Sequence, residues 1–243
     1  MRFEKNLAGL ALGAALCLPA AAADLTIVYN VTVNGKTGTT TEYFTSNKFR
    51  SGDGQHDMIV DTAAGSIVSI DHARKEYSQV TVAEIEASLQ KASAQMEEAM
   101  KNMPPALREK MEAISGGSAV SVSKVAGGKT VAGHATDRYI ITVGPSETES
   151  FNAPSLVPPI EPGEMMRFQS LANPMMKAAH KMAAEMQKIK GMTLASSTTV
   201  KVMGKTFTTS KEATEVKTGP VPPGAFDIPA GYKKVNSPLT KGR

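Results

Sequence analysis

Residues 81–114 read TVAEIEASLQKASAQMEEAMKNMPPALREKMEAI. Apolar side chains recur at Ile85, Leu89, Ala92, Met96, Met100, Met103, Leu107, Met111 and Ile114. Steps of three or four residues put all nine on one helical face. Glu84, Gln90, Lys91, Glu98, Lys101 and Glu109 occupy the other. Thr81 with Glu84 three residues on is a capping-box start. Pro104-Pro105 predicts a kink or break near Met103, because proline removes a helical hydrogen bond and restricts the residue before it. A shorter helix then runs to Ile114 and ends at Ser115-Gly116-Gly117. The chain on both sides reads as short strands, so this helix must cover a sheet or lie in its mouth.

Upstream, Leu25 to Val33 alternates in the manner of a half-buried strand. Asn34-Gly35 is a strong hairpin signal. Strands follow at Thr37–Phe44, Asn47–Ser51, His56–Asp61, Ser66–Asp71 and Glu76–Val80, separated by turn residues, which predicts an antiparallel meander. Downstream come strands at Ala119–Val125, Thr136–Val143 and Ser146–Phe151, then a proline-rich stretch. A second amphipathic helix is predicted from about Pro162 to Lys190, kinked at Asn173-Pro174 and closed by Gly191. Strands Met192–Met203 and Lys205–Lys217 complete the count. With about eleven strands and no βαβ alternation, the expected class is α+β. The expected architecture is a strongly curved antiparallel sheet, an unclosed barrel, with two kinked amphipathic helices packed on its concave side.

Residues 1–23 are expected to be a signal peptide. Arg2 and Lys5 give a basic start, Leu7–Leu18 is an apolar run too short to span a bilayer comfortably, and Ala21-Ala22-Ala23 is a small-residue cleavage site. Cys17 follows Leu16, where a lipoprotein signal wants Gly or Ala, so it reads as part of the apolar run. The predicted organisation is one domain over residues 24–235 with a flexible tail at 236–243, in a periplasmic protein. About 220 residues without cysteine can bury roughly 70% of their unfolded surface in one core, so disulfide staples are not required.

Four passages carry a resemblance: YFTSNKFRS at 43–51, SIVSIDHARKEYS at 66–78, VAGHATDRYIITV at 131–143 and FDIPAGYKKV at 226–235. In this order they resemble an exported bacterial family of unknown function with the open-barrel fold of the lipoprotein carrier LolA and its receptor LolB. The resemblance implies a curved sheet with a helical lid over an apolar cavity that takes acyl chains. The tryptophans common in carrier sequences are absent, since this chain has no Trp, and no carrier residue maps onto a numbered position here.

The net charge of +4 is mild and its basic residues are scattered, with few aromatics beside them. Nucleic acid is not an expected partner. A weak attraction to anionic head groups fits the charge, and a transient membrane or protein partner in the envelope fits the location. The 14 methionines are the unusual feature, and eleven of them lie between Met96 and Met192. Methionine suits surfaces that accept variable apolar shapes, and equally serves as ordinary core. The expected ligand-binding residues are Met96, Met100, Met103, Met175, Met182 and Met186, lining a concavity that holds a lipid or other apolar molecule without catalysis. Two alternatives stand beside this: an envelope interaction module without a ligand, and copper(I) binding by thioethers near Met176 and His180.

No catalytic set is legible, and no cofactor is expected. Asp71-His72 has no nucleophile elbow to serve. Strand alternation puts Asp57 and Asp61 on the face opposite His56, which argues against a metal site there. In the C-terminal signature, Gly231 is expected at positive φ with Tyr232 packing behind it, closing the fold.

Overall fold

The computed structural model describes residues 23–101, 103–104, 120–161, 163–165, 167–168, 184–202 and 204–237. Six consecutive strands open the fold: β1 (Leu25–Val33), β2 (Lys36–Phe44), β3 (Lys48–Gly52), β4 (His56–Asp61), β5 (Ser66–Asp71) and β6 (Glu76–Thr81). Helix α1 (Val82–Lys101) follows. Then come β7 (Val120–Val125), the small pair β8 (Thr130–Val131) and β9 (His134–Ala135), β10 (Asp137–Val143), β11 (Ser146–Ala153), β12 (Met192–Val202), β13 (Lys205–Thr218) and β14 (Lys233–Lys234).

Twelve of these strands form one sheet in the order β14-β6-β5-β4-β3-β2-β1-β13-β12-β11-β10-β7. The sheet is curved and its end strands do not pair with each other, so it is an unclosed barrel. The first six strands are the predicted meander. The connection through α1 leaves from β6 beside one edge, and the chain re-enters at β7, the other edge. β13 pairs with β1 from Leu25↔Thr218 to Val33↔Thr209 and joins the two halves. Asn34 and Gly35 both take positive φ, 48° and 83°, as a tight hairpin turn between twisted strands requires.

The described residues hold fourteen strands where about eleven are predicted. The additional ones, β8, β9 and β14, are two residues each, too short to generate an alternating pattern. The sheet also departs from pure antiparallel pairing. β14 lies parallel to β6, with Lys233↔Glu76 and Lys234↔Tyr77, because the chain crosses the sheet before it reaches that edge.

Strand alternation sorts the sheet into two unequal faces. Leu25, Ile27 and Tyr29 of β1 point to the same side as Phe44, Phe49, Val60, Ile67 and Val80, all buried in one cluster. Ile85 of α1, Leu156, Ile160 and Phe168 pack onto that cluster. The opposite face of β4 and β5 carries Ile59, Val68 and Ile70, which pack with Tyr77, Phe226, Ile228 and Tyr232. The C-terminal signature therefore covers the reverse of the sheet.

The capping box forms as read. Thr81 N donates to Glu84 Oε2 at 2.8 Å, and Glu84 N donates to Thr81 Oγ1 at 3.2 Å. Val82, Ile85 and Leu89 pack on the core, whereas Ala92 of the predicted apolar face is exposed. The helix thus seats its first two turns. Its predicted continuation over 105–114 lies outside the described residues. So does most of the second helix, of which 163–165, 167–168 and 184–186 are described as helical. Ser237 is buried, so the packed chain extends past Val235.

Candidate functional site

One polar departure within the main core lies on three adjacent strands. Tyr29 of β1, Glu42 of β2 and Lys211 of β13 share the core face. Alternation makes this placement unavoidable once Ile27 and Phe44 are buried: Glu42 sits opposite Ile27 and two residues before Phe44. Lys211 Nζ donates to Glu42 Oε1 at 3.2 Å and lies 4.3 Å from the centre of the Tyr29 ring. The Glu42 side chain is only 12% exposed, a degree of burial that a carboxylate tolerates when paired. Tyr29 is fully buried and its hydroxyl donates to Thr193 O at 2.8 Å. Burial, and next the Glu42 charge, push its pKa well above the ordinary tyrosine value.

These residues form the polar end of a cavity of about 250 Å³. Phe44, Phe49, Ile160, Met165, Met186, Ile189 and Met192 supply its apolar wall, and Asn152 and Thr193 add further polar lining. The Phe44 and Phe49 rings lie tilted against each other, 4.9 Å between centres, and give the wall a rigid side. The methionines supply a deformable one. Gly191 shapes the rim: its φ is +81°, and a Cβ there would stand 1.9 Å from Ala153 O. No other residue fits, so the helix terminus predicted at Gly191 is also where the backbone closes against β11.

Of the residues expected to bind, Met186 lines this cavity and Met103 is half-buried. The side chains of Met96 and Met100, and Met175 and Met182 entirely, lie outside the described residues. Met165, Met192, Tyr29, Glu42 and Lys211 were not singled out from the sequence. Met165 was legible as part of the second helix's apolar stripe. The Lys211–Glu42 pair was not, because its members are 169 residues apart.

A second polar cluster sits on the reverse face. Asp57, 6% exposed, accepts from Arg50 Nε at 3.1 Å, and also from Arg50 Nη2. His72 Nε2 lies 3.0 Å from Asp57 Oδ2, and His72 Nδ1 lies 2.8 Å from the Tyr232 hydroxyl. Arg50 Nη1 donates to Ala225 O at 2.7 Å. Gly231 takes φ +82° before Tyr232, as expected. This cluster ties the C-terminal segment to β3 and β4. His72 partners Asp57 rather than its neighbour Asp71, which instead accepts from Arg74 N. His56 Nε2 lies 3.9 Å from one carboxylate, Asp71 Oδ2, while Asp53 caps the amides of Gln55 and His56 and Asp61 pairs with Lys48. Among the described residues no group of His, Cys, Asp and Glu is arranged to hold a metal ion. Among them, too, no helix is long and apolar enough to cross a membrane, which says nothing of spanning by strands.

No protein-family model matches this chain, and no curated protein matches it. Solved structures give distant likenesses. PNGF-II aligns at TM-score 0.43 and 10% identity over 90% of this chain and 32% of its own, so this chain spans about a third of that protein. An uncharacterized conserved protein from Thermus thermophilus aligns at TM-score 0.44 and 8% identity, over 90% of this chain and 92% of its own. MucB, in a crystal structure with MucA(peri), aligns at TM-score 0.39 and 12% identity over 86% of this chain and 54% of its own.

Proposed function

We propose that this protein is exported to the periplasm through cleavage of residues 1–23 and there binds a lipid or other apolar chain without catalysis. The observation that supports this most is the core-face cavity of about 250 Å³, walled by Phe44, Phe49, Met165, Met186 and Met192. A close-packed core leaves few voids larger than a water molecule. This one approaches the lower end of small-molecule sites, which run from about 300 Å³ upward. Each methylene that leaves water for such a wall contributes about 0.8 kcal/mol before ordering costs. Thioether side chains adapt to chains of different shape.

Native mass spectrometry of protein purified gently from the periplasm, followed by organic extraction, tests the reading. The expected result is a co-purifying acyl lipid or other apolar molecule, depleted in a folded Met186→Asp variant. Protein that emerges empty and takes up no fluorescent fatty-acid probe overturns it, and would make the methionines plain core.

A further inference from the structure

Resting on that reading, we infer that the cavity selects a single-chain amphiphile whose head is uncharged and hydroxyl-bearing, with Glu42 and Lys211 reading the head together. Each of the other polar side chains around the cavity has at least one partner among the described residues. The Tyr29 hydroxyl donates to Thr193 O, Asn152 Nδ2 donates to Thr193 Oγ1 at 2.8 Å, and Asn152 Oδ1 accepts from Ser150 at 2.6 Å. The Glu42–Lys211 pair is not exhausted. Lys211 carries three N–H donors and spends one on Glu42 Oε1. Among the described residues, Glu42 Oε2 has no hydrogen-bond partner. The pair therefore offers one acceptor and at least one donor at the polar end of an apolar cavity.

Its net charge is zero, and that decides the class of head. A carboxylate head would bring a second anion beside Glu42, at a site where Glu42 is only 12% exposed. An ammonium head would stand against Lys211, which lies over the Tyr29 ring. Either ion would leave water for a site that already balances its own charge, and an unpaired buried charge is strongly unfavourable. A hydroxyl donates to Glu42 and accepts from Lys211 while the pair stays intact. The methionine and phenylalanine wall then takes the chain.

Three probes with the same dodecyl-length chain separate the possibilities: monolauroylglycerol, laurate and dodecylammonium, each displacing a fluorescent apolar probe from the full-length protein at a pH where laurate is ionised. The expected order has monolauroylglycerol at least tenfold tighter than both ions. Glu42→Gln should shift the preference toward laurate by tenfold or more, and Lys211→Met toward dodecylammonium by a similar factor. Glu42→Leu with Lys211→Met removes the pair as a unit and should bind the chain with no head preference. It serves where a single variant fails to fold. If laurate or dodecylammonium binds the unsubstituted protein as tightly as monolauroylglycerol, the head-group inference is wrong while the cavity reading survives. If the fluorescent probe binds but none of the three displaces it, the head-group inference alone is wrong; if the fluorescent probe itself does not bind, both are overturned.

Discussion

Asp57 shows how one carboxylate can hold two distant parts of a chain. It lies on the face of β4 opposite the main core, almost fully buried, between Arg50 and His72. Arg50 reaches on to Ala225 O, and His72 reaches on to Tyr232. Removing one member of a buried pair leaves the other charge without compensation, which costs about 3–5 kcal/mol. Asp57→Ala should lower the unfolding free energy by that amount in urea titration, because it strands Arg50. Tyr232→Phe keeps the ring and loses one hydrogen bond, so its expected cost is about 0.5–1.5 kcal/mol. Equal costs for the two would mean that Asp57 is not the anchor. The sequence made Tyr232 legible as a packing residue because Pro229 and Gly231 constrain its approach. It could not pair His72 with Asp57. Their fifteen-residue separation spans a strand turn and the whole of β5, and adjacency in sequence points to Asp71 instead.

Helix α1 was the most legible element, and its start the most legible part of it. Thr81 and Glu84 satisfy each other's amides, and Val82, Ile85 and Leu89 seat the first two turns on the core. Ala92 is exposed although it lies on the same stripe: a regular apolar stripe says which face would be covered, not which of its residues are. Glu84 also gives the helix a pH dependence. Its bond from the Thr81 backbone amide, then the one from the Thr81 hydroxyl, lower its pKa. A lowered carboxylate pKa means that the cap's contribution is complete above the ordinary glutamate value and is lost as pH falls through the lower folded value. Glu84→Ala should therefore lower Tm at neutral pH by a margin that shrinks toward zero as the solution is acidified through that window. A margin that stays constant with pH would show that the carboxylate's charge plays no part in the cap. Glu185 has a related role at the far edge. It is held low first by Lys188 and then by the Val122 amide, and it occupies an N–H that edge strand β7 would otherwise present to another chain.

An unclosed sheet has two edges and two faces to manage, and the chain uses its last residues for one of each. β14 pairs with β6 and sets exposed lysines along that edge, a common protection against further strand addition. The segment before it lays Phe226, Ile228 and Tyr232 over Ile59, Val68, Ile70 and Tyr77. This leaves the other face free to hold the cavity, with the charged pair at one end. The meander was readable because each strand lies beside its sequence neighbour. The junction of β1 with β13 and the parallel return of β14 were not, since both join residues far apart in the chain. The covering role has a measurable consequence. Full burial of a large apolar side chain contributes about 1.5–3 kcal/mol, so three half-buried ones give about 3 kcal/mol together. For a domain of this size each kcal/mol moves Tm by about 2–4 °C. A chain ended at Gly219 should melt about 6–12 °C lower and bind an apolar-surface dye through the uncovered face of β4 and β5. A chain ended at Ser237 should melt with the full-length protein. If the shorter chain keeps the full Tm and stays dark to the dye, the C-terminal segment does not hold the reverse face, and the grip assigned to Arg50 and His72 is absent.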